Sequence, residues 1–220
     1  MSDLDDDDIG STRLALPERC TIPGPEHRLE ALFTPGGKGA GAVVASPHPL
    51  YGGTMSNAVV IATGRGLHAA GLATFAFNYR GTEESQGTAS DSLESAVEDY
   101  AAVLAELRRR TGGPYVAAGY SFGAGTALLT ARDDAQICGV VLVAPPIGLL
   151  LAEDLAAFQG RVLIVVGEHD DYAPLQELEA RCAARADCVL EVIAGADHFF
   201  HFGGLPELEA HIKKHVAGWL

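Results

Sequence analysis

The chain has 220 residues, 48% of them hydrophobic and 20% charged, which suits one globular domain with a large core and leaves little room for two. A formal net charge of −14 repels nucleic-acid phosphates and anionic membrane surfaces, so neither is expected as a partner. The most apolar stretch, residues 140–151, is too short to span a bilayer and contains Pro145 and Pro146.

Asp3, Asp5, Asp6, Asp7 and Asp8 form an acidic run. Residues 1–12 are therefore expected to be a solvated, disordered tail ahead of a single domain over 13–220. The start carries no basic and apolar leader pattern, so a cytoplasmic protein is expected. Residues 18–34 hold two strand signals around Pro23-Gly24-Pro25 and predict an antiparallel edge hairpin. Residues 40–46 read as a buried strand, 55–70 as a helix and 73–79 as a strand rich in aromatics. Residues 91–110 give the clearest helix. Asp91 or Ser92 can cap it, and Leu93, Val97, Tyr100, Val103, Leu104 and Leu107 make an apolar stripe at helical spacing.

Strands are then predicted at 114–118, 139–143, 161–166 and 188–193. Helices are predicted up to Arg132, over 174–185 and over 205–219. Short buried strands alternating with helices predict an α/β fold, with a mostly parallel sheet covered by helices on both faces. No gap is wide enough for a substantial cap domain, and the loop at 144–160 is the largest candidate for a partial cover. Cys20, Cys138, Cys182 and Cys188 lack CxxC spacing, so neither a zinc site nor a redox pair is expected; Cys138 reads as a small core residue.

The strongest motif is Gly119-Tyr120-Ser121-Phe122-Gly123. A strand that turns sharply into a helix strains its apex residue, and large side chains two positions to either side would clash. The apex Ser121 is lifted out beside a helix N-terminus, where N–H groups favour developing negative charge. A serine hydroxyl needs a base to take its proton. His198, in Gly195-Ala196-Asp197-His198-Phe199-Phe200, follows the last strand and so belongs at the carboxyl edge of the sheet with Ser121. Asp197 is expected to point away from its neighbour, and His201 to be turned elsewhere. The acid partner is Asp170, Asp171 or Glu168, after the strand at 161–166.

The rigid loop Ser46-Pro47-His48-Pro49-Leu50-Tyr51-Gly52-Gly53-Thr54 follows another strand. It can hold a backbone N–H that, with the N–H of Phe122, binds an oxyanion. His48 is assigned a positioning role, since two prolines hold it stiffly. His211 and His215 stand four apart on the closing helix with no third ligand in view, so no metal is expected. The serine mechanism itself requires no cofactor.

Together these motifs resemble the α/β-hydrolase superfamily, and within it the small cap-less bacterial serine hydrolases related to dienelactone hydrolases and carboxylesterases. The resemblance runs from residue 28 to the C-terminus. It rests on residues 47–53, Asn78-Tyr79-Arg80-Gly81, the serine motif, Gly167-Glu168-His169-Asp170 with Pro174, and residues 195–200. It implies an α/β-hydrolase fold with Asp170 as the acid. It also implies Leu50 N–H as the first oxyanion donor, and Tyr51 as a substrate-binding residue. After Arg80-Gly81 similar proteins often continue with glycine, whereas this chain has Thr82-Glu83-Glu84-Ser85. Dienelactone hydrolases proper carry cysteine where Ser121 stands, so their chemistry is not expected. The expected activity is cleavage of a small-molecule ester with a short acyl group, through an acyl-enzyme. Acyl transfer, or thioester or amide cleavage, is the alternative, and a non-catalytic binding protein is the third reading.

Overall fold

Apolar runs bounded by turns build the centre of the computed structural model, which describes residues 16–24, 26–37 and 39–220. The acidic run and the tail expected over 1–12 lie outside the described residues. The hairpin forms as expected: β1 (Glu18–Pro23) pairs antiparallel with β2 (Arg28–Thr34), Glu18 facing Phe33 and Pro23 facing Arg28. The other strands are β3 (Gly41–Ala45), β4 (Ala73–Phe77), β5 (Tyr115–Tyr120), β6 (Ile137–Val143), β7 (Arg161–His169) and β8 (Cys188–Asp197). They lie in the order β1-β2-β4-β3-β5-β6-β7-β8. Both pairings of β2 are antiparallel, and those among β3 to β8 are parallel.

The strands β3 and β5 are buried along their whole length, as the centre of a sheet covered on both faces requires. On one face lie α1 (Ala58–Ala69) and α6 (Leu205–Val216), contributing Val59, Leu67, Leu208, Ile212 and Val216 to the core. On the other lie α2 (Leu93–Arg110), α3 (Phe122–Ala131) and α5 (Leu175–Ala183), contributing Tyr100, Leu104, Leu107, Leu128 and Leu178. Ser92 caps α2, its side chain accepting from Ser95 N–H, and Arg108, Arg109 and Arg110 sit in the last turn where the helix dipole favours cations. Among the described residues, no helix is long and apolar enough to cross a membrane.

Two strands run further than their sequence signal. β7 and β8 extend to His169 and Asp197 because they pair with each other as far as His169–Asp197, across a register shift between Gly167 and His169. Cross-strand pairing supplies there what local propensity does not. Asp170 and His198 consequently leave the sheet side by side. The loop at 144–160 also gains structure: a 3-10 turn at Ile147–Leu149 and a short helix α4 (Ala152–Ala157).

The fold brings together two cysteines whose pairing the sequence did not indicate. Cys182 and Cys188 form a disulfide, because the end of α5 and the start of β8 meet with Cα atoms 5.3 Å apart; Cys20 and Cys138 are free and half-buried. Closing so short a loop contributes about 2 kcal/mol in the chain-entropy account. Reductant is therefore expected to lower Tm by about 4–8 °C for a chain of this length. A Cys182→Ser variant should show no such response; identical melting with and without dithiothreitol for the native chain would show that the bridge contributes nothing.

The segment after Arg80 is pinned without extra glycine. Gly81 adopts φ +70°, and a Cβ there would collide with the backbone of Ala89. Ser85 Oγ donates to Asn78 O at 2.8 Å and accepts from Glu30 N at 2.9 Å, tying residues 82–85 to β2. Asn78 in turn accepts from Met55 N at 2.7 Å and donates to Glu30 Oε2 at 2.7 Å.

Candidate active site

Ser121 sits between β5 and α3 with φ 54° and ψ −118°, a left-handed conformation that costs a non-glycine residue energy. The surroundings enforce it. A Cβ at Gly119 would meet the backbone of Gly123, and one at Gly123 would come within 2.5 Å of Ser46 O. Ser121 N donates to Val143 O at 2.9 Å, fixing the apex to the next strand.

Ser121 Oγ lies 3.0 Å from His198 Nε2. His198 Nδ1 lies 2.9 and 2.8 Å from the two oxygens of Asp170. A carboxylate only accepts, so Nδ1 carries the hydrogen and Nε2 is free to accept from the serine. Asp170 is buried, and its Oδ1 also accepts from Tyr172 N at 2.9 Å and Ala173 N at 3.0 Å. The other two acid candidates are engaged elsewhere or exposed: Glu168 accepts from Gly195 N at 2.9 Å, and Asp171 faces solvent. Asp197 turns away from His198 and pairs with His201 Nδ1 at 2.9 Å. Burial pulls the Asp197 pKa upward, but hydrogen bonds from His201 outweigh it and hold the carboxyl below its ordinary range.

The imidazole of His198 is boxed in by rings. Tyr172 lies 4.6 Å from it centroid to centroid, and Phe199 stands perpendicular at 5.1 Å. The Tyr120 hydroxyl donates to His198 O at 3.0 Å. Burial first, then the charges of Asp170 and Asp197, push the Tyr120 hydroxyl well above its usual range, so it remains a donor. These supports were not legible in the sequence, although Tyr120 and Tyr172 both lie inside the motifs that flagged Ser121 and Asp170.

The two expected oxyanion donors differ. Phe122 N–H opens α3, has no acceptor within the helix and meets none among the described residues. Leu50 N–H is not free as expected: it donates to His48 Nδ1 at 3.2 Å, at the long limit of such bonds. His48 caps the 3-10 turn at Pro49–Tyr51, which brings its ring over that N–H. Burial lowers the His48 pKa, against an upward pull from Asp91, so the ring stays neutral with Nδ1 able to accept. Tyr51 and Phe122 flank it at 4.6 and 4.7 Å. His48 thus positions the loop, as its prolines suggested.

Around Ser121 opens a cleft of about 520 Å³. Pro47, His48 and Tyr51 form one side, Pro146 and Leu149 another, and Tyr172 and Phe199 close it beside His198. Tyr51 lines the cleft at its exposed rim. Pro146 and Leu149 come from the loop at 144–160, which walls the site rather than capping it. Among the described residues, no aspartate or glutamate lines the cleft.

The serine aminopeptidase S33 family matches residues 52–152, a span that includes Ser121 and ends before Asp170. An α/β serine hydrolase homologue from Coxiella burnetii is 33% identical, with a TM-score of 0.81 over 90% of this chain and 97% of that one. A lid-less α/β serine hydrolase from Xanthomonas campestris is 25% identical, with a TM-score of 0.81 over 93% and 95% of the two chains. An uncharacterized protein of Rickettsia prowazekii is 28% identical over 192 residues, covering 81% of this chain and 80% of the relative. The parallel sheet, the strained serine between β5 and α3, and this likeness along nearly the whole of the Coxiella chain lead to one assignment: the protein belongs to the serine hydrolases of the α/β-hydrolase superfamily.

Proposed function

We propose that the protein is a carboxylesterase that cleaves a neutral small-molecule ester with a short acyl group. The observation that carries this reading is the Ser121–His198–Asp170 relay, placed in an apolar-walled cleft. Ser121 Oγ attacks the ester carbonyl as His198 Nε2 takes its proton. Asp170 holds Nδ1–H and stabilises the imidazolium that forms. The oxyanion is received by Phe122 N–H and by Leu50 N–H. A full negative charge is a stronger acceptor than neutral imidazole, so Leu50 N–H transfers from His48 to the oxyanion. His198 then donates its proton to the leaving alcohol. In the second half, water attacks the acyl-enzyme with His198 as base.

Aminopeptidase activity is the second reading, because that family matches part of the chain. An aminopeptidase must hold the substrate's terminal ammonium, and among the described residues no carboxylate lines the cleft wall to do so. Kinetics on p-nitrophenyl butyrate, p-nitrophenyl palmitate and aminoacyl p-nitroanilides separate the possibilities. A long chain must extend past Leu149 and Tyr51 into water, where it gains nothing from burial. We expect kcat/KM on butyrate to exceed that on palmitate by about tenfold or more, with the anilides essentially unreactive. Equal turnover of both esters would overturn the short-chain assignment, and preference for the anilides would replace the esterase reading.

A further inference from the structure

We propose that Glu191, His211 and His215 form a second site, which binds one divalent transition-metal ion, zinc foremost, and clamps α6 to the edge of the sheet. The two histidines are four residues apart on α6 and so share one face. What the sequence did not reveal is a third ligand, and the fold supplies it. On β8, Glu191 shares a face with Ile193 two residues on, and Ile193 packs with Leu208 and Ile212 of α6. Glu191 is thereby aimed at the histidine pair.

Glu191 Oε1 lies 2.5 Å from His215 Nε2 and 3.3 Å from His211 Nδ1. Ligating atoms of all three residues fall within 4.8 Å of one another. Bonds of 2.0–2.2 Å to a tetrahedral ion place ligand atoms about 3.4 Å apart, so small side-chain rotations suffice. Two imidazoles and one carboxylate make a donor set suited to zinc, leaving a fourth position for water. The side chains are only 19–27% exposed and stand on a helix and a strand, which limits the entropy lost on binding.

Lys214 is the competing cation. Its ammonium lies 3.2 Å from the same Glu191 oxygen, on a side chain that is 67% exposed and free to swing outward. Glu191 precedes His198 by seven residues, about 20 Å along an extended strand. The ion therefore acts on stability, by holding the strand that delivers His198, and not on the hydrolytic chemistry.

The test is calorimetric titration of the full chain, stripped with chelator and dialysed, with zinc chloride. The native chain, a His211→Ala/His215→Ala double variant and a Lys214→Ala variant are compared, with Tm and ester turnover measured in parallel. The Asp run at 3–8 and the other histidines are common to all three and cancel. We expect one zinc per chain in the native protein, loss of that binding in the double variant, and binding tightened severalfold by Lys214→Ala. Zinc at about a hundred times Kd should raise Tm by about 5–10 °C in the native chain and in Lys214→Ala, and leave the double variant unchanged. Zinc-free ester turnover should be the same in all three, which shows that the double variant is folded and that this site is independent of the hydrolytic reading. Absence of saturable binding, equal binding by the double variant, or binding without a Tm shift would overturn the proposal.

Discussion

Ser121→Ala is expected to lower kcat on a p-nitrophenyl ester by about 10⁴–10⁶-fold and to abolish labelling by a fluorophosphonate probe. The reason is geometric: Ser121 Oγ is the atom held 3.0 Å from His198 Nε2 and facing the cleft. His198→Ala should cost about as much, since serine and base act as a unit. Asp170→Asn should cost about 10⁴-fold, because an amide facing Nδ1 permits the wrong tautomer. These losses are not additive, so a Ser121→Ala/His198→Ala double variant should be little worse than either single one. Cleavage and labelling that survive in Ser121→Ala would remove the serine from the mechanism. A native chain that neither labels nor turns over would favour the binding-protein reading.

Asp99→Ala is expected to lower Tm by about 6–12 °C, corresponding to about 3 kcal/mol. Asp99 is fully buried and accepts four hydrogen bonds: from Arg80 N at 2.9 Å, Nε at 3.0 Å and Nη2 at 2.8 Å, and from His27 Nε2 at 2.8 Å. Removing it strands a largely buried guanidinium, although Arg80 keeps Glu98 at 2.8 Å and Ser95 O at 2.9 Å, which places the loss at the low end for a broken buried pair. The same cluster lies beneath Pro49 and Tyr79, and Tyr79 packs on Phe122 at 5.7 Å. Activity measured well below Tm should therefore fall too, in kcat more than in KM. Asp99→Asn keeps acceptor capacity and should lose less. Melting of Asp99→Ala within 2 °C of the native chain, on the scale set by about 2–4 °C per kcal/mol, would refute this account of Arg80.

The features legible in the sequence were those set by near neighbours. Strands β3 and β5 announce themselves as short runs with no polar residue facing out, and α2 through Tyr100, Val103, Leu104 and Leu107 behind the Ser92 cap. The serine turn was legible for the same reason in part, because the clash that excludes a side chain at 119 is with the backbone of Gly123, four residues on, whereas the one at 123 is with Ser46 and Ala45 and exists only once β3 packs beside β5. His198 followed from its place after a strand. The ends of β7 and β8 were not legible, since only their mutual pairing carries them to His169 and Asp197. The helix α4 was missed because a six-residue segment shows too little periodicity to stand out from a loop.

The sequence by itself therefore determined the alternating architecture and which strand ends bear chemistry, because period, capping and turn sterics act over a few residues. Which carboxylate meets His198 was decided in space: Asp170 alone of the three candidates turns inward, while Glu168 bonds Gly195 and Asp171 faces water. The Leu50–His48 hydrogen bond, the Cys182–Cys188 bridge, the burial of Asp99 and the approach of Glu191 to His211 and His215 belong to the same class. Each depends on where a side chain points once strands and helices have packed, and packing is set by the sum of contacts between segments rather than by the pattern within any one of them.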